Sequence, residues 1–161
     1  MKRLLLLSFL MAAACGSKTK AAEEPAGGGG EGGEVAAPVV ESPPKPWADM
    51  EKKERIEWMK TKVLPTMKAK FQAFNPTEFE EFKCETCHGA GVNQGKFDMP
   101  NPELPTLTPA LVQNPDAEHK PWVDFMSNEV KPTMATLLGL PEWSPENPAG
   151  LGCATCHEFQ Q

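Results

Sequence analysis

The sequence predicts a mainly α-helical chain with little or no sheet, built from one unit used twice. Three observations predict it. The stretch Trp58-Met59-Lys60-Thr61-Lys62-Val63-Leu64-Pro65-Thr66-Met67 aligns with Phe125 to Met134 at a shift of 67, with Met, Val, Pro, Thr and Met identical. Apolar residues in both copies recur at helical spacing. A Cys-x-x-Cys-His pattern follows each copy, the second displaced from the first by 69 residues. Self-similarity of this kind marks an internal repeat, and a chain of 161 residues holds one such domain with extensions.

Residues 1–14 read as a secretory signal: Met1-Lys2-Arg3 is a charged head, Leu4 to Met11 an apolar run, and three alanines precede Cys15. The run is shorter than the about 20 residues that a permanent span needs. Leu10-Met11-Ala12-Ala13-Ala14-Cys15 resembles a bacterial lipoprotein signal, in which the cysteine is acylated and becomes the mature N-terminus. That implies a chain anchored in the cell envelope by its lipid, facing the periplasm or the cell surface. Residues 15–45 are rich in Gly, Pro, Glu and Ala and poor in large apolar groups, so they are expected to be a disordered tether. Its r.m.s. reach is roughly 30 Å.

The folded part is expected at residues 46–161, with repeats at about 46–91 and 120–161. In the first helix Ile56, Met59, Val63, Met67, Phe71 and Phe74 fall within about 120° of arc at about 100° per residue. Pro65 falls on the opposite face, where a kink would bend the helix around its apolar side. Lys45-Pro46-Trp47-Ala48-Asp49 matches Lys120-Pro121-Trp122-Val123-Asp124 at a shift of 75, which is read as about two extra helical turns in the first copy. Asn75-Pro76 stops the first helix and opens a short second one carrying Phe79, Phe82 and the Cys84–His88 motif, ending at Gly89. Residues 89–119 contain Pro100, Pro102, Pro105, Pro109 and Pro115, and form an extended connector with one short helical turn near Thr108 to Val112. In the second copy Met126, Val130, Met134 and Leu137 share a face, and Gly139-Leu140-Pro141 ends the helix. Ser144 to Pro148 then lead as a loop into the second motif.

Cys84-Glu-Thr-Cys87-His88 and Cys153-Ala-Thr-Cys156-His157 carry the chemistry. Cys-x-x-Cys-His is the signature of c-type haem attachment. Two thiols three residues apart add to the two vinyl groups of one haem, and the adjacent histidine, His88 or His157, presents its imidazole to the iron. Zinc knuckles usually lie about 15–20 residues apart, whereas 65 residues separate Cys87 from Cys153. A thioredoxin-like dithiol belongs in a βαβ pattern that is missing here, and structural disulfides need no histidine after each pair. The cofactor expected is two haem c groups.

Three histidines occur in the whole chain, so methionine is the natural opposite ligand. Only Glu158 to Gln161 follow the second motif, which sends the search upstream. Met134 lies 19 residues before Cys153 and Met67 lies 17 before Cys84, both in Pro-Thr-Met. Met99 and His119 are the alternatives for the first haem. Phe97-Asp98-Met99-Pro100 resembles the Met-Pro ligand loop of small single-haem cytochromes, while His119 sits in a polar loop. Met59 and Met126 are read as packing, Trp47, Trp58, Trp122 and Trp143 as lining haem or core surfaces. The haems are expected to stand in for much of a conventional core, as partners of the apolar helix faces.

A helix bearing a methionine before each Cys-x-x-Cys-His segment resembles the tetrahaem cytochrome subunit of photosynthetic reaction centres, over residues 46–161 and with two units in place of four. The resemblance implies a lipid-anchored electron carrier with redox protein partners. Losing Lys2 and Arg3 leaves the chain from Cys15 at a net charge of −8, which argues against nucleic acid and anionic lipid surfaces as partners. A haem enzyme or a haem-based gas sensor is the competing class; it needs an open iron position with acid–base groups around it.

Overall fold

A computed structural model describes residues 40–160. The signal, Cys15 and the tether as far as residue 39 lie outside them. The protein is mainly helical, at 52% helix with no strand among the described residues. Pairing is confined there to the isolated bridges Leu107–Phe159, Glu142–Leu151 and Ser144–Asn147.

The first copy starts with a 3-10 turn, Trp47–Asp49. Glu51 then opens α1 (Lys52–Trp58), its backbone N–H donating to the Glu54 carboxylate at 2.7 Å. The residues that distinguish this copy from the second are therefore a separate turn with a break at the buried Met50, and not two further turns of helix. A π-helical segment, Met59–Val63, joins α1 to α2 (Leu64–Phe74). The second copy repeats this order as α5 (Lys120–Phe125), a π-helical segment at Met126–Val130, and α6 (Lys131–Leu138).

Both prolines explain the π-turns. Pro65 and Pro132 have no N–H to give, and in an α-helix each ring would press on the carbonyl four residues back. The wider turn resolves this: the Leu64 N–H donates to the Met59 carbonyl, and the Lys131 N–H to that of Met126. The irregularity expected at Pro65 is a π-turn, at the same place in both copies.

The two copies pack against each other as antiparallel helices. The Trp58 indole N–H donates to the Leu137 carbonyl at 2.7 Å, Lys70 meets Glu129 at 2.6 Å, and Phe74 stacks on Phe125 with ring centres 4.2 Å apart. Between them lies a core of Val63, Met67, Phe71, Phe82, Phe125 and Leu137. Phe71 is its hub, meeting Phe79, Phe82 and Phe125 at 4.8, 4.9 and 5.0 Å. The first helix's apolar face thus packs on Phe125 and Leu137 of the second copy, whereas Met126, Val130 and Met134 of the second face line a cavity. Trp143 is 51% exposed and so is not a core residue.

After α2 the predicted second helix is a run of turns over residues 76–81, and helix begins only at α3 (Cys84–His88). Asn75 still caps, its Oδ1 accepting the Glu78 N–H at 3.1 Å. The connector holds the 3-10 segment Ala90–Gln94 and α4 (Pro109–Gln113), where Thr108 Oγ1 accepts the Leu111 N–H. Residues 40–45, read as tether, lie against the helices through Glu41–Lys62 and Lys45–Glu54 ion pairs.

Gly139 caps α6 at φ 62°, and a Cβ there would come within 3.1 Å of Pro43. Gly139→Ala is expected to cost about 1–2 kcal/mol through the left-handed backbone alone. The urea midpoint checks this; one equal to wild type would mean that α6 does not end in that conformation.

Candidate functional site

The two motifs fold alike around a threonine that both contain. Thr86 Oγ1 accepts the Lys83 N–H, and Thr155 Oγ1 accepts the Gly152 N–H, each at 3.0 Å. This return contact, like the far half of a capping box, winds each motif into a tight turn. The first becomes α3; the second is the 3-10 turn Cys153–Thr155, with the His157 N–H donating to the Cys153 carbonyl at 2.9 Å. Gly89 leads the chain out of the first motif at φ 70° and ψ −178°, a region open essentially only to glycine. Just beyond it the Ala90 N–H donates to the Glu103 carboxylate at 3.1 Å.

The second motif opens onto a cavity of ≈ 380 Å³, within the range of small-molecule sites. Cys153, Cys156 and His157 line it together with Met134, Met126 and Trp122. The sequence-predicted ligands His157 and Met134 are therefore brought to one apolar space. His157 Nδ1 lies 2.9 Å from the Pro105 carbonyl oxygen. A carbonyl only accepts, so the ring proton belongs on Nδ1 and the lone pair on Nε2. His119 also lines this cavity, with Nδ1 2.7 Å from Asp116 Oδ1. It was expected as an alternative at the first motif; the structure sets it beside the second, because α5 starts at Lys120 and runs along that cavity.

The first motif is more enclosed. His88 Nδ1 is buried without a hydrogen bond, and burial holds the imidazole below its ordinary pKa, in the neutral form. Phe97 meets the His88 ring edge-on at 5.6 Å. Met67 is 3% exposed within the aromatic core, and Cys87 packs against that same core. Met99, two residues beyond Phe97, is half-buried and joined to Pro100 by a cis peptide.

Cys84, Cys87, Cys153 and Cys156 are unpaired thiols. Burial pushes the Cys87 thiol up to about 12, with Cys156 and Cys84 adding to the shift, and burial raises Cys156 too. Burial thus disfavours the thiolate at both positions. Among the described residues no three His, Cys, Asp or Glu side chains gather as a metal site.

No family model, curated protein or solved structure matches the chain.

Asn101 and Pro105 were not picked out in sequence, where both are lost in a proline-rich connector. Asn101 is 4% exposed, and each of its polar groups is paired. The shared threonine was the one available signal for Thr86 and Thr155.

Proposed function

We propose that this chain is an envelope-anchored electron carrier holding two c-type haems. Cys84 and Cys87 would bind one, Cys153 and Cys156 the other, with His88 and His157 as proximal ligands. Met134 would be the opposite ligand of the second haem and Met67 of the first, with Met99 the rival there. The observation that carries the proposal is the second cavity. One apolar space holds both thiols, a histidine whose Nε2 lone pair is free, and a methionine from the duplicated Pro-Thr-Met. A neutral imidazole pinned through its other nitrogen is the usual state of a metal-ligating histidine. The donor set also suits haem, since thioether and imidazole are the natural pair for a redox-cycling, low-spin iron.

Haem supplies the one-electron change of its iron. The chain's own groups set the conditions for it. The Pro105 carbonyl fixes the orientation and tautomer of the His157 ring. The lining is mostly apolar, with Met126, Val130, Met134 and Leu151 among its residues. Lipidation of Cys15 would hold the module at a bacterial membrane, within reach of redox protein partners, in the manner of the reaction-centre cytochrome subunit that the repeat resembles.

Expression through a haem-c maturation system should yield two haems per chain that survive denaturation, since thioether bonds outlast unfolding. Cys15→Ser should release the protein from membranes. A haem-free chain that takes up zinc, or a Cys15→Ser protein that stays in the membrane fraction, would overturn the corresponding half.

One observation favours a haem enzyme or gas sensor. His119, paired with Asp116, is a hydrogen-bonding group on the wall of the second cavity. Carbon monoxide decides between them: a carrier with both irons six-coordinate ignores it, whereas an enzyme or sensor binds it at one haem.

A further inference from the structure

Asn101 touches the same atom of both motifs. Its side-chain Nδ2–H donates to the Cys87 carbonyl and its backbone N–H to the Cys156 carbonyl, both at 3.0 Å. Each of those carbonyls belongs to the residue just before a proximal histidine, His88 or His157. One buried asparagine thus bridges equivalent points of the two copies, and the two carbonyls are separated by no more than its own span and two hydrogen bonds.

The following residues continue the bridge. Asn101 Oδ1 accepts the Glu103 N–H at 3.0 Å, fixing the side chain's orientation. The Glu103 carboxylate accepts the Ala90 N–H, just past the first motif. Two residues on, the Pro105 carbonyl holds His157 Nδ1, and the Leu107 N–H donates to the Glu158 carbonyl at 2.9 Å. A run of seven residues therefore holds the first motif with one set of atoms and the second with another. A buried polar group so fully paired defines one arrangement, because any shift of either motif leaves donors unsatisfied.

We infer that residues 101–107 are a strap that holds the two haem motifs at one fixed separation, with Asn101 as its positioning residue, so that the two haems form a coupled redox pair. The inference rests on the proposed dihaem function. Closely held haems feel each other's charge, so reducing one makes reduction of the other harder.

The dihaem protein is the material for the test, by potentiometric titration and by electron paramagnetic resonance of the ferric state. Wild type should show two separated one-electron steps and low-spin signals broadened by coupling. Asn101→Ala should keep both haems bound and low-spin, lose the broadening, and narrow the gap between the steps by at least half. Asn101→Asp keeps the shape but lacks the Nδ2–H donor, so it should move the same way; restoration of the wild-type gap by this variant would assign Asn101 a packing role and overturn the inference. Gly139→Ala, destabilised away from the strap, should keep the wild-type gap and line shape; a change as large as that in Asn101→Ala would trace the effect to stability and also count against it. Unbroadened signals from two independently titrating haems in wild type would overturn it without any variant. A chain that matures without haem refutes the function first, and is recognised by the missing haem before any titration.

Discussion

Met134→Ala is expected to turn the second haem from low-spin to a site with a high-spin component or a water ligand, leaving the first haem unchanged. The duplicated Pro-Thr-Met places Met134 at the position in the second copy that Met67 holds in the first. Met134 lines the cavity beside Cys153, Cys156 and His157 and is half-buried there. Met134→His should keep the iron low-spin at a lower potential, because imidazole replaces thioether. Met126 lines the same cavity, and Met126→Ala is expected to keep the spin state. Ferric-state absorption and paramagnetic resonance read all three variants. A low-spin Met134→Ala protein that becomes high-spin only when His119 is also removed would pass the ligand to His119. At the first haem the repeat predicts the same loss for Met67→Ala and none for Met99→Ala. Met67 is also a core residue, so its truncation should cost about 2–5 kcal/mol in addition.

The largest loss of stability is expected at Phe71. Its ring is 5% exposed and touches three other aromatic rings, from the turn after α2, the approach to the first motif, and α5. Phe71→Ala removes the hub of the antiparallel pair and leaves a cavity, at about 3–5 kcal/mol. A domain holds about 5–15 kcal/mol in total, so the variant should unfold at much lower denaturant. Phe71→Leu, closer in volume, should lose clearly less. An alanine variant within about 0.5 kcal/mol of wild type, the effect of an ordinary surface change, would mean the two copies are not held together at this cluster.

Much of the local structure could be read from residues alone. The apolar period located both long helices, Gly139 marked the end of α6, and Thr108 with Pro109 marked the start of α4. These are contacts within a few residues, so the residue types that make them stand together in the sequence. The π-turns were legible only as a proline inside a helical pattern. Asn75-Pro76 looked like the start of a helix, yet Phe79 and Phe82 turn back onto Phe71, and this packing overrides the local preference.

By itself the sequence determined the residues on offer: two Cys-x-x-Cys-His motifs, a shared Pro-Thr-Met, and so few histidines that methionine is the natural candidate for an opposite ligand. The tertiary structure alone decided which groups meet around them. His157 finds the Pro105 carbonyl 52 residues away, Trp58 finds that of Leu137 79 residues away, and Asn101 takes one carbonyl from each motif. Every residue carries the same carbonyl, so residue type cannot mark which one a distant donor will reach. That choice is made when the helices pack and the connector has to satisfy the polar groups they enclose.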